Sequence, residues 1–224
     1  MGARQRFRGR IAGAGSTSGV RVVVGWWHES PFGEFADAMV ERADGHRLLL
    51  APTDEVAALV SGTYVFDEVR VEPFEVSPLS RPMRGPSPSQ GIGGVAQVKV
   101  PEPGWSVVSP SLRLSLEFGG RMPLGRLLRM VPGPLAESPA WATAVDPVAR
   151  VVLRGVRTRG VAREGRQEFY GATDVRAVTR LEGRLDDIPL GDLRPVDPPC
   201  RFGFSSTPRA PSVTHVVTTI VDTA

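Results

Sequence analysis

Residues 111–118 read Ser-Leu-Arg-Leu-Ser-Leu-Glu-Phe, with an apolar side chain at every second position. Side chains alternate between the two faces of a strand, so Leu112, Leu114, Leu116 and Phe118 face a core. Ser111, Arg113, Ser115 and Glu117 face water. A slip of one residue would expose the whole apolar set, so this segment fixes its own register. The same period of two recurs near the start of the chain. Arg6, Arg8 and Arg10 point one way, and Phe7, Gly9 and Ile11 the other. In Val20–Trp27, Val20, Val22, Val24 and Trp26 share a face.

Turn formers separate these segments. Gly13–Gly19 is rich in Gly and Ser and reads as a loop between two strands. Asp44-Gly45, between Phe35–Arg42 and His46–Ala51, is a strong hairpin signal. Thr53 caps a brief helix: Asp54 and Glu55 suit its positive end, Val56, Ala57, Leu59 and Val60 supply its apolar side, and Gly62 ends it. Phe66–Val76 returns to strand. Residues 77–104 are Pro/Gly-rich and read as a long loop, with Gln97–Val100 as an optional edge strand.

Residues 123–154 read as a short helical insertion. Pro123, Pro139 and Pro147 each suit a first helical position, the latter two behind Ser138 and Asp146 as caps. Leu124, Leu127, Leu128 and Val131 share one helical face. Strands resume at Val156–Arg163, Gln167–Gly171 and Val175–Leu185, with a turn at Glu164-Gly165. After a loop at Pro189–Pro199, Arg201–Ser205 and Val213–Val221 close the chain as strands.

About ten strands and three short helices predict a mainly β fold: an antiparallel barrel or strongly curved sheet with a few covering helices. A two-layer β-sandwich is the alternative. The length of 224 residues fits one β-rich domain over 1–224. A lipocalin-like barrel is the nearest architecture, by analogy only, and architecture does not fix function.

Composition narrows the class. Lys99 is the only lysine among 27 basic residues, against 24 acidic ones. That arginine bias, with abundant Ala, Gly, Pro and Val, is what the GC-rich genome of a high-GC bacterium writes. No run of five like charges occurs, so no nucleic-acid partner is expected. The apolar runs are far too short to span a membrane, and the arginine-rich start lacks the apolar core of an export signal. The expectation is a soluble, cytoplasmic chain. A single cysteine, Cys200, excludes an internal disulfide. His28, His46 and His215 are widely spaced, so no metal site and no cofactor is expected.

Gly13, Gly15 and Gly19 resemble a phosphate-cradling glycine loop, which requires a helix to follow. The sequel, Val20-Arg21-Val22-Val23-Val24-Gly25-Trp26-Trp27, is a strand former instead. Attention moves to the end of that strand. Trp26 and Trp27 occupy adjacent positions, so one must lie at an interface or beneath a covering helix if both are buried. Three functional readings stay open. In the first, a small, partly apolar and perhaps anionic molecule binds inside a barrel, among Trp26, Trp27, Phe32, Trp105 and Tyr170, with Arg157 at a polar end. In the second, an isomerase, cyclase or decarboxylase-like lyase uses His28 with Glu29 or Asp37. In the third, the chain is an interaction protein without a small-molecule site, forming a homodimer through an exposed sheet.

Overall fold

The computed structural model describes residues 4–80, 102–152, 156–161, 166–203 and 206–222. Its elements are β1 (Arg4–Ser16), β2 (Arg21–Glu29), β3 (Phe35–Glu41), β4 (Arg47–Ala51), α1 (Asp54–Thr63), β5 (Glu68–Val71), β6 (Glu75–Pro78), β7 (Gly104–Val108), β8 (Leu112–Arg121), α2 (Pro123–Leu128), α3 (Gly133–Ala136), α4 (Pro139–Val152), β9 (Arg159–Val161), β10 (Arg166–Leu185), β11 (Ile188–Pro189), β12 (Leu193–Arg194) and β13 (Ser212–Asp222). Ten strands form one sheet in the order β5-β4-β3-β2-β1-β13-β10-β8-β7-β6. The sheet curls through 245° as a half-barrel, with four short helices. The strongly curved sheet is therefore the correct form of the fold expectation. A single continuous sheet replaces the two layers of a sandwich.

Most neighbours are antiparallel, but β4 and β5 are parallel, with Leu48 opposite Glu68 and Ala51 opposite Val71. A parallel pair needs a crossover, and α1 supplies it. Thr53 caps α1 as expected, its hydroxyl accepting from the Val56 N–H at 3.3 Å. The Asp44-Gly45 hairpin joins β3 to β4, closed by the Arg42 N–H on the His46 carbonyl at 2.9 Å.

Inside the curl lies a filled core. Val22 and Val24 of β2, Leu48 and Leu50 of β4, and Leu112, Leu114, Leu116 and Phe118 of β8 belong to one buried cluster. Strands from both ends of the sheet meet in it, which only the inner face of a curled sheet allows. Trp105 is fully buried there, edge-on to Trp26 at 5.5 Å and to Phe118 at 5.3 Å between ring centroids. The opposite face of β1–β4 carries Phe7, Phe35, Leu49 and Ala51, packed on Val56 and Ala57 of α1.

Several local expectations change. Gly13 and Gly15 lie within β1, and the turn is confined to Thr17–Gly19. The glycine at 13 answers to close approach: a Cβ there would meet the Thr207 side chain at 2.5 Å. Phe66–Val76 is not one strand. It divides into β5 and β6 around Pro73, which cannot donate to a ladder. Gln167–Gly171 and Val175–Leu185 are instead one 20-residue strand, β10, with a bulge between Ala172 and Asp174. Pro147 lies inside α4 rather than starting a helix. Asp146 caps nothing, because its carboxylate accepts from the Thr158 N–H at 2.8 Å. Ser138 does cap α4, accepting from the Trp141 N–H at 3.1 Å. Arg201–Gly203 is not strand. Lys99, Gln97–Val100 and the Glu164-Gly165 turn lie outside the described residues, as does most of the 77–104 loop.

Candidate functional site

Between the outer face of the sheet and the helices is a cavity of about 560 Å³. Its floor comes from alternate positions of several strands: Ile11 on β1, Val23 on β2, Met39 on β3, Ala172 on β10, and Thr214 and Val216 on β13. Leu124, Leu127 and Leu128 of α2, with Trp141 and Val145 of α4, form its roof. The leucines share a helical face, as their spacing predicts, and Leu127 is 60% exposed at the rim. Cys200 and Phe202 close one side. Glu41 holds that segment: its fully buried carboxylate accepts from the Arg201 N–H at 2.7 Å and pairs with Arg21 at 2.9 Å. Burial pushes the Cys200 thiol up to about 12, so it stays protonated and inert as a nucleophile.

A second, smaller chamber of about 70 Å³ adjoins the first. The two share Ile11, Val23, Met39, Tyr64 and Tyr170 in their walls. Polar groups gather at this junction. The Thr63 hydroxyl donates to Glu168 Oε1 at 2.7 Å, and the Tyr170 hydroxyl to Glu168 Oε2 at 2.7 Å. The Tyr64 and Tyr170 hydroxyls also bond to each other. Glu168 is only 2% exposed. Burial first, and then the Glu168 carboxylate, push both tyrosines above their usual range, so both remain protonated.

Asp37, 5% exposed, borders the small chamber and accepts from the Trp27 indole N–H at 3.0 Å. Burial raises its carboxyl to about 7, opposed by that hydrogen bond. Gly25, opposite Asp37 in the β2–β3 register, leaves room for the contact. A Cβ at position 25 would sit 2.6 Å from Asp37 Oδ1 and 2.7 Å from Trp27 Nε1. Thr218, 5% exposed, lines the same chamber, and its buried hydroxyl has no hydrogen-bond partner among the described residues.

No protein-family model, curated protein or solved structure matches this chain. Function must therefore be read from the chain's own geometry.

The sequence-derived candidates divide between two faces and the surface. Tyr170, Arg157 and Trp27 border the cavity or its side chamber. Trp105 belongs to the packed inner core and Trp26 packs against it, and neither lines the cavity or its side chamber. Phe32 is an exposed ring stacked on Phe7 at 6.4 Å. His28 packs on Trp26 at 4.7 Å and lies 3.6 Å from Glu34. Glu29 is exposed beside Arg8 at 3.5 Å. Trp26 and His28 share the inner face by alternation, whereas Asp37 opens onto the outer face. His28 and Asp37 therefore do not meet, and the acid–base pair expected of them does not form. Arg157 is paired with Asp146 at 3.3 Å, which offsets its charge and weakens the case for an anionic ligand.

Among the described residues no cluster of three or more His, Cys, Asp or Glu could hold a metal. No helix among them is long and apolar enough to cross a membrane. Sequence reasoning missed Tyr64, Glu168, Thr63 and Thr218. One signal was available: Tyr64 and Tyr170 are the only two tyrosines in the chain.

Proposed function

We propose that this protein binds a small, mainly apolar molecule in the cavity between the outer face of its sheet and helices α2 and α4. The carrying observation is the cavity itself: about 560 Å³, walled mainly by Ile, Val, Leu, Met and Trp side chains, with Tyr64 and Tyr170 where it meets the smaller chamber. Ligand sites commonly span roughly 300–1,000 Å³ and combine apolar walls with a few placed polar groups. A packed protein leaves few voids larger than a water molecule, so a space this large calls for an occupant. This reading moves the binding site from the inside of the half-barrel, which side chains fill, to its outside.

Trp141 lines the cavity and serves as a reporter. Titration with a panel of fatty, isoprenoid and polycyclic compounds is expected to change its fluorescence and raise the melting temperature. Ala172 lies on the cavity floor, and Ala172→Trp is expected to fill the space and abolish both responses. A panel without any response, or an unchanged response in the filled variant, would overturn the proposal.

A further inference from the structure

The small chamber differs from the large one in its chemistry. Asp37, Glu168, Thr63 and Thr218 all border it, and no Arg, Lys or His is among its described lining residues. Two of these groups carry the inference. A carboxylate offers about four acceptor sites, and Asp37 Oδ1 commits one to Trp27. The Thr218 hydroxyl is buried without a partner among the described residues, which is unfavourable until something bonds to it. The chamber's other polar lining side chains, Thr63, Tyr64, Glu168 and Tyr170, are hydrogen-bonded to one another, and the indole N–H of Trp27 is taken by Asp37.

We propose that the chamber at Asp37 and Thr218 is the head-group subsite of the cavity, and that it takes a hydrogen-bond-donating, non-anionic head on an otherwise apolar ligand. This rests on the apolar-ligand reading of the large cavity and names the ligand's chemical class. An O–H or N–H entering the chamber donates to Asp37 and meets the idle Thr218 hydroxyl. A carboxylate head would instead bring an anion next to the buried acids Asp37 and Glu168, with no cation among the described lining residues to offset it. The chamber's volume of about 70 Å³ suits a head of a few heavy atoms, while the tail lies in the larger space through the junction at Tyr64 and Tyr170.

The test is a head-group series on one chain length: dodecanol, dodecylamine and dodecanoate, titrated against the full chain by Trp141 fluorescence and calorimetry near neutral pH. The alcohol and the amine are expected to bind at least about tenfold more tightly than the carboxylate. Asp37→Asn keeps an acceptor for Trp27 but removes the acidic function. It is expected to weaken the amine about tenfold, to affect the alcohol less, and to narrow the gap to dodecanoate. Thr218→Val keeps the packing and removes the hydroxyl, and it is expected to weaken the alcohol by about threefold to tenfold. The wild-type series needs no variant, so a variant that fails to fold does not blunt it.

Equal binding of all three heads would overturn the subsite and leave the apolar-ligand reading standing. Tighter binding of dodecanoate would do the same. Unchanged preference in both variants would show that the heads lie elsewhere. If none of the three binds, the reading of the large cavity falls as well.

Discussion

On β2, Val22, Val24 and Trp26 enter a packed core, whereas Val23 and Trp27, each one residue away, border open space. The inner face closes on itself because the sheet curls, so strands from its two ends supply both walls of the core and side chains meet side chains. The outer face is convex and cannot close on itself. Helix α1 packs directly on part of it, whereas α2 and α4 span the strands without filling the gap beneath them. The comparison teaches that the open space of a half-barrel need not lie in its interior. The interior holds the fold together, and the space lies on the other side of the same strands.

Substitutions on the two faces should therefore behave differently. The largest effect is expected at Trp105, which is fully buried in the inner core: Trp105→Ala should cost about 3–5 kcal/mol in chemical denaturation. Next is Asp37. Its carboxyl stays protonated to about 7 in the folded chain, against an ordinary 3.8. Between those values the unfolded chain gives up a proton that the folded chain keeps, so this group lowers stability as pH rises, and the loss levels off above about 7. Asp37→Asn should match wild type near the bottom of this window and be more stable above it, by at most about 4 kcal/mol. Denaturation of both proteins across the range checks the slope. Glu137, whose carboxyl Arg8 holds below its ordinary value, contributes the opposite slope at lower pH and cancels in the difference.

Leu128, a half-buried residue in the roof of the cavity, faces a space that is already open. Leu128→Ala should cost less than about 2 kcal/mol, well below the inner-core substitution. A cost equal to that of Trp105→Ala would show that the outer layer packs as tightly as the inner one. The smallest effect is expected at Thr218: removing its idle hydroxyl in Thr218→Val should raise stability by about 1 kcal/mol in the ligand-free protein. A destabilised Thr218→Val protein would mean that the hydroxyl has a partner in solution.

The inner face was legible in the sequence because its pattern is local. Leu112 to Phe118 alternate within eight residues, Asp44-Gly45 marks a hairpin, and Thr53 marks a helix start. Each rests on contacts between near neighbours. The irregularity at Ala172–Asp174 was legible, but a bulge inside one strand and a gap between two strands look alike in sequence; the break at Pro73 was missed, because Phe66–Val76 reads as one alternating run. The candidate site was much less legible. Tyr64 follows α1, Glu168 and Tyr170 lie on β10, and Asp37 and Thr218 lie on β3 and β13. Nothing in local spacing joins them; only the assembled sheet does. Tyr170 and Arg157 were singled out, and the structure sets both at the cavity. Trp26 and Trp105 were singled out for aromatic size, which serves a core as well as a pocket.

The centre of the sheet is a seam between the two ends of the described chain: β1 pairs with β13, with Arg4 opposite Val221 and Ala12 opposite Val213. Pairings this distant in sequence form slowly, because a long loop must close before any contact compensates the lost entropy. The cavity straddles this seam, with Ile11, Val23 and Met39 on one side and Tyr170, Thr214 and Val216 on the other. Neither half of the chain can build the cavity alone. A refolding chain should therefore complete the cavity together with its last and slowest pairing, so that the open space reports completion of the sheet.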